Sequence, residues 1–197
     1  MRETIKINLL KNLLRETTSK YDYFISNQKR EMKQAFELAI KDNLTGLYNR
    51  EYLDEFSVQA FQRLQRNKNI LVLVFLDLDN FKSVNDNYGH LEGDAVLKKS
   101  AQLLKNSFRR SDIVVRYGGD EFVVLIEDDN FNENQLNNLL QSFAKRLEKK
   151  FMKYHISASY GIATTLENIN TLAQLIEIAD ERMYEHKINK KSIKGRL

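Results

Sequence analysis

Arg116-Tyr117-Gly118-Gly119-Asp120-Glu121-Phe122 is the stretch whose reading decides the fold. Apolar residues precede it (Ile113, Val114, Val115) and follow it (Phe122, Val123, Val124, Leu125, Ile126). Two β-prone runs joined through Gly-Gly predict a hairpin, because glycine reaches the positive φ angles that tight hairpin turns demand. Asp120 and Glu121 then stand at the turn. Alone, a Gly-Gly-acid turn is more often a solvated hairpin tip than a site. A second acidic strand end elsewhere in the chain is what argues for a site.

That second strand end is Asp77 and Asp79, which close the continuous apolar run from Ile70 to Leu78. Such a run marks a buried central strand. Two residues apart on a strand, the carboxylates project from the same face. Unpaired acids there cost on the order of several kcal/mol, so a compensating cation is required. If the hairpin brings Asp120 alongside, the acids form a cluster of hard oxygen ligands suited to Mg²⁺, which keeps coordination positions for substrate phosphates. The bland alternative is neutralisation of the strand end by Lys82 or Arg116.

Working outward, Leu53, Phe56, Ala60 and Leu64 give one helix face before the strand, and Leu97, Ala101, Leu104 and Phe108 another after it. The segment from Asp79 to Gly93 between strand and helix reads as a loop dense in hydrogen-bonding side chains. Leu136, Leu140, Phe143 and Leu147 mark a helix after the hairpin; Ile156, Ala158, Tyr160 and Ile162 alternate as in a strand; Leu172, Ile176, Ala179 and Met183 supply a last helix. The order is β-α-β-β-α-β plus a helix. It predicts an α+β, ferredoxin-like palm (an α/β sandwich) with a central antiparallel sheet flanked by helices. In that topology the first strand is central and its end lies near the hairpin tip.

Residues 1–41 contain neither Gly nor Pro and read as an N-terminal helical segment, with Ile25, Met32 and Ala39 recurring every seven residues. The heptad is not sustained, so a short helical pair is expected, serving as a dimerising or signal-relaying stalk. Asp42-Asn43-Leu44-Thr45-Gly46 breaks the helical pattern, and the boundary is placed there: a stalk over 1–41 and a folded domain over 42–197.

The 197 residues suffice for one ordinary domain plus an appendage. Cysteine is absent, which excludes disulfides and thiolate zinc sites. No apolar run is long enough to span a bilayer and no signal peptide opens the chain, so a cytoplasmic location is expected. The net charge of +4 suits polyanionic ligands such as nucleoside triphosphates, or simply a solvated lysine-rich surface. The basic residues are dispersed without interleaved aromatics, which argues against nucleic acid as a partner. In the segment after Asp79, backbone N–H groups offer a cradle for phosphate, and Asn85 and Asp94 can donate and accept along a guanine edge. His90 reads as structural.

Four blocks resemble the GGDEF domains, which are diguanylate cyclases: Asp42-x-Leu44-Thr45-Gly46-Leu47-x-Asn49-Arg50; Asp77-x-Asp79-x-Phe81-Lys82-x-x-Asn85-Asp86-x-x-Gly89-His90-x-x-Gly93-Asp94; the signature from Arg116 to Phe122; and Ala179-Asp180-x-x-Met183-Tyr184-x-x-Lys187. The resemblance covers residues 42 to about 191. It implies condensation of two GTP into cyclic di-GMP, a bacterial second messenger, across a homodimer of half-sites. It also implies that Asp77, Asp120 and the Leu78 carbonyl ligate Mg²⁺ (or Mn²⁺), with Glu121 as a further metal or 3′-hydroxyl contact. Asp120, Glu121 and Lys82 would form the catalytic set. Asn85 and Asp94 would read guanine, and Asn80, Phe81, Lys82, Lys187 and Lys191 would hold phosphates. Arg109 and Asp112 would begin an inhibitory product site. Lys191 departs from the arginine usual there, keeping the charge but losing the bidentate fork. Two other readings compete: a binding module that senses the nucleotide without turnover, and a synthase of a hybrid product. The intact acids argue against the first, and Asp94 against the second.

Overall fold

A computed structural model describes residues 1–64 and 69–194. The chain divides into two units, Met1–Ile40 and Lys41–Leu197. The first unit is a single helix α1 (Arg2–Ile40) of 39 residues, unbroken because nothing in it removes a backbone donor or frees the backbone. A continuous helix thus stands where a short helical pair was expected.

The second unit holds α2 (Arg50–Leu64), β1 (Ile70–Asp79), α3 (Phe81–Tyr88), α4 (His90–Lys105), β2 (Ile113–Gly118), β3 (Glu121–Asp128), α5 (Glu133–Lys150), β4 (Ser157–Thr164) and α6 (Leu172–Lys194). The four strands form one antiparallel sheet in the order β2-β3-β1-β4. This is the expected ferredoxin-like palm. One correction within this unit concerns the segment after Asp79, read as a loop: it folds into α3 and the first turn of α4. Asn80 takes the left-handed conformation (φ 66°), which turns the strand directly into a helix, and Phe81 and Val84 bury one short apolar face. Two apolar residues among Ser, Asn and Asp give too little periodicity to announce a helix. Phe108, expected in the helix before the hairpin, lies past its end.

Strand parity assigns every side chain of β1 to a layer. Val72, Val74, Leu76 and Leu78 join the core under α3, α4 and α5. Leu71, Leu73 and Phe75 join the core under α2 and α6. Asp77 and Asp79 therefore point toward the α6 side, as does Glu121, since its neighbours Val123 and Leu125 belong to the same layer. Gly161 of β4 lets α6 come close: a Cβ there would collide with the backbone of Ala179 and Met183. The edge strand β2 is covered by a small hairpin, Lys41 pairing with Tyr48, whose Tyr48 N–H donates to Val114 and whose Tyr48 carbonyl accepts from Arg116.

Candidate active site

The β2–β3 turn consists of Gly119 and Asp120, with Gly118 paired to Glu121. Gly119 adopts φ 49° at the first central position of a two-residue turn, where glycine is demanded. The Arg116 guanidinium closes the turn by donating to the Gly119 carbonyl at 3.0 and 2.9 Å, and reaches Asp42 at 3.1 Å. Asp42 in turn accepts from the backbone and hydroxyl of Thr45. Arg116 is thus committed to the turn, and does not neutralise the end of β1.

The end of β1 meets this turn directly. Asp77 sits opposite Glu121 in the β1–β3 register, and the Leu78 N–H donates to the Asp120 carbonyl at 3.2 Å. Like charges directly opposite on a sheet repel. Burial and then the Asp77 charge push the Asp120 carboxyl above its ordinary range. Glu121 is pushed up by burial, Asp120 and Asp77, in that order. The counter-charge comes from α6: Lys187 Nζ lies 2.6 Å from Asp77 Oδ1. Burial works against that ammonium, but the pairing with Asp77 and the nearby Asp79 and Asp120 hold its pKa above the usual lysine value.

Asp79 leaves the expected carboxylate cluster. Its oxygens accept from Ser157 (2.7 Å), Ser159 (2.9 Å) and Lys190 Nζ (2.8 Å), and Lys190 also donates to Ser157 Oγ and the Ala158 carbonyl. Burial raises the Asp79 pKa, yet these hydrogen bonds and the ammonium outweigh it and leave the carboxyl below its ordinary value. Its compensating cation is Lys190, rather than Lys82 or Arg116. Sequence reasoning missed Lys190 and the adjacent His186, which contacts the Tyr160 backbone. A signal existed: Lys187 and Lys190 are three apart on one helix, so both reach the same strand ends.

Lys82 is exposed on the first turn of α3, beside buried Phe81, while the Asn80 side chain donates to the His155 carbonyl. Asn85 on α3 packs against Gly93 on α4, the residue before Asp94, where any Cβ would strike the Asn85 side chain. His90 is exposed at the start of α4, and Lys191 is exposed near the end of α6. At the far end of β2, the Asp112 carboxylate accepts from the Arg109 backbone N–H at 2.8 Å, while the Arg109 guanidinium pairs with Asp128 at 3.2 Å. Burial dominates at Asp112 and raises its pKa.

Among the described residues no three acidic or histidine side chains enclose a metal site as they stand. The donor set still fits Mg²⁺, which binds through one or two carboxylates plus substrate phosphates rather than an all-protein cage. Asp77 and Asp120 repel one another, and although Lys187 pairs with Asp77 and the Lys187 and Arg116 charges both act on Asp120, burial and the Asp77 charge still outweigh them there, so a divalent cation has a charge deficit to fill.

The family model described as "Diguanylate cyclase, GGDEF domain" matches residues 39–192. The chain belongs to the GGDEF-domain family. Diguanylate cyclase DgcS of Shewanella oneidensis is 38% identical over 149 residues, which is 76% of this chain and 50% of that protein. Among solved structures, the coiled coil and GGDEF domain of DgcB from Caulobacter crescentus, in complex with c-di-GMP, superposes with a TM-score of 0.77. It covers 91% of this chain and 95% of that one at 22% identity, a likeness of fold. Diguanylate cyclase SiaD of Pseudomonas aeruginosa, in complex with its activator SiaC, gives 0.69 at 28% identity over 94% of this chain and 73% of that one. The chain spans half or less of the length of the first curated relatives it matches. No helix among the described residues is long and apolar enough to cross a membrane.

Proposed function

We propose that this GGDEF domain condenses two molecules of GTP into cyclic di-GMP with release of two pyrophosphates, each domain contributing half of the site in a homodimer. The observation that carries the reading is the convergence of Asp77, Asp120 and Glu121 where β1 meets the hairpin turn, with a charge deficit among them. Asn85 and Asp94 would supply the guanine-reading pair, a reading supported by the packing of Asn85 against Gly93, next to Asp94. Asp94 accepts from the base N1–H and exocyclic amine.

In each half-reaction a 3′-hydroxyl oxygen attacks the α-phosphorus of the facing nucleotide in line. A new O–P bond forms as the bond to the β,γ-pyrophosphate breaks. Glu121, which faces Asp77 across the strands and follows Asp120 in the chain, would take the hydroxyl proton. Asn80 and Phe81 backbone N–H groups, with Lys82, Lys187 and Lys191, hold phosphate oxygens, so the domain's contribution is mostly positioning and electrostatics. Asp77, Asp120 and the Leu78 carbonyl would hold Mg²⁺, or Mn²⁺ in its place. The bound metal would lower the hydroxyl pKa and neutralise developing phosphate charge. Lys187 leaves Asp77 for the nucleotide phosphates as the site fills. One domain holds one GTP while the product needs two, so half-sites must face one another, and α1 is the element that pairs them. Product binding at Arg109 and Asp112 restrains turnover, with the guanidinium exchanging Asp128 for a guanine or phosphate. Incubating purified protein with GTP and Mg²⁺ and resolving the products by chromatography tests the reading: cyclic di-GMP is expected, and unconsumed GTP or a linear or hybrid dinucleotide would overturn it.

A further inference from the structure

β4 is the last strand of the sheet, so one of its edges pairs with β1 and the other has no strand beside it. α6 meets that free edge with side chains spaced four residues apart, Arg182, His186 and Lys190. Arg182 donates to the Ile162 carbonyl (2.6 Å) and Lys190 to the Ala158 carbonyl (2.9 Å). Between them, His186 Nδ1 lies 3.2 Å from both the backbone nitrogen and the carbonyl oxygen of Tyr160, so it accepts from one or donates to the other. Helix and strand run in opposite directions, and their periods agree: four helical residues rise about 6.0 Å and two strand residues about 6.6 Å. Gly161 sets how near the two come, since a Cβ there would strike the backbone of Ala179 and Met183. Closeness alone fixes no register; the ladder of side-chain bonds does. Turning α6 by one residue would carry each side chain through about 100°. Arg182 and Lys190 also hold carboxylates, Glu167 and Asp79, whereas among the described residues the hydrogen bonds of His186 go to Tyr160 alone.

We propose that His186 is a positioning residue for the condensation of GTP: its hold on Tyr160 fixes α6 so that Lys187, the next residue, stands over Asp77. Lys187 Nζ is 2.6 Å from Asp77 Oδ1, and Asp77 faces Ser159, the neighbour of Tyr160, across the β1–β4 pairing. From His186 to the acids the path is one residue along the helix and one along the strand. The inference rests on the reading of Lys187 as a phosphate-holding group and adds the residue that aims it. The His186 ring also packs edge-on against the Tyr160 ring, with centroids 4.6 Å apart, which resists rotation of the side chain. Lys190 secures α6 beyond Lys187, so a loss at His186 loosens the helix on one side of Lys187 and leaves it anchored on the other. The consequence is a misplaced ammonium rather than an unfolded helix.

His186→Leu removes the ring nitrogens, and His186→Asn returns a donor and an acceptor where Nδ1 stands. In protein without nucleotide, acetylation of lysines by an N-hydroxysuccinimide ester, read residue by residue by mass spectrometry, reports the placement of Lys187 and needs no activity. Lys187 should label several-fold faster in His186→Leu, and at the parent's rate in His186→Asn, with half-buried Lys41 unchanged in both. In turnover with Mg²⁺, His186→Leu should raise KM for GTP roughly threefold to tenfold with kcat within about twofold of the parent's, because part of a charge-assisted phosphate contact is lost in ground and transition state alike. His186→Asn should restore KM. In a Lys187→Gln background the same His186→Leu change should alter KM by less than about twofold, since the group it aims is gone. A merely structural role would instead lower kcat with the folded fraction and speed the labelling of Lys41 together with Lys187. That pattern, unchanged Lys187 labelling in His186→Leu, or an equal KM change in the Lys187→Gln background, overturns the proposal. Faster Lys187 labelling in His186→Leu, in a protein whose parent turns over no GTP, would fault the reading of the function while the hold of His186 on Lys187 stands.

Discussion

Replacing Lys190 by methionine removes the ammonium that holds Asp79 and keeps a side chain of similar length. Lys190 spends its three donors on Asp79 (2.8 Å), Ser157 (3.0 Å) and the Ala158 carbonyl (2.9 Å). Asp79 is only 8% exposed, so the variant leaves a buried carboxylate with two serine hydroxyls and no cation bonded to it. Breaking a buried ion pair from one side costs about 3–5 kcal/mol. The Lys190 side chain is 22% exposed, so water reaches the vacated position and screening brings the loss to the bottom of that range or below it, about 2–3 kcal/mol. At roughly 2–4 °C per kcal/mol for a chain of this size, the transition should fall by about 4–12 °C. Urea unfolding followed by near-ultraviolet circular dichroism measures the change through the packed tyrosines, with an unchanged m-value expected. The double variant Asp79→Asn, Lys190→Met leaves no buried charge at these two positions and should recover about 1 kcal/mol or more relative to the single variant. A loss below about 0.5 kcal/mol, or strictly additive effects of Asp79→Asn and Lys190→Met, would refute the assignment of Lys190 as the cation of Asp79.

Asp94→Ser should lower GTP use about ten- to a hundredfold, because losing a buried partner to base donors costs on the order of 1–3 kcal/mol; unchanged GTP kinetics would remove Asp94 from the guanine contact. Deleting residues 1–41 should lower specific activity and make it rise with protein concentration, since two half-sites must meet, and sedimentation on the same samples separates a tight dimer from a stalk without effect. Arg109→Ala should relieve inhibition by cyclic di-GMP while leaving initial GTP turnover close to the parent's; equal inhibition of parent and variant would remove Arg109 from the product site.

The sheet and its order were legible because the apolar run of β1, the Gly-Gly turn and the alternation in β4 are each set by local pattern, and the topology then follows from their sequence. The meeting of Asp77 with the hairpin tip came from the same reasoning, through the central place of β1. What escaped was decided by tertiary contact. α3 is helical because Asn80 turns left-handed and Phe81 and Val84 find the core, neither of which a run of Ser, Asn and Asp declares. Asp79 shares a strand face with Asp77, and only the position of α6, drawn close at Gly161, shows that one acid meets Lys187 and the other Lys190. The family resemblance sets Arg109 and Asp112 in one product site, yet the guanidinium goes to Asp128, a residue brought in by the β2–β3 pairing.

The central claim is that the acids at the junction of β1 and the hairpin turn drive condensation of GTP. It is tested most directly by product stoichiometry in the parent and in Asp120→Asn, with the fold of each confirmed by circular dichroism. The parent supplied with GTP and Mg²⁺ should release two pyrophosphates for each cyclic di-GMP formed, and Asp120→Asn, folded alike, should form neither. A parent that binds GTP and leaves it intact, or an Asp120→Asn variant that turns over at the parent's rate, would contradict the account.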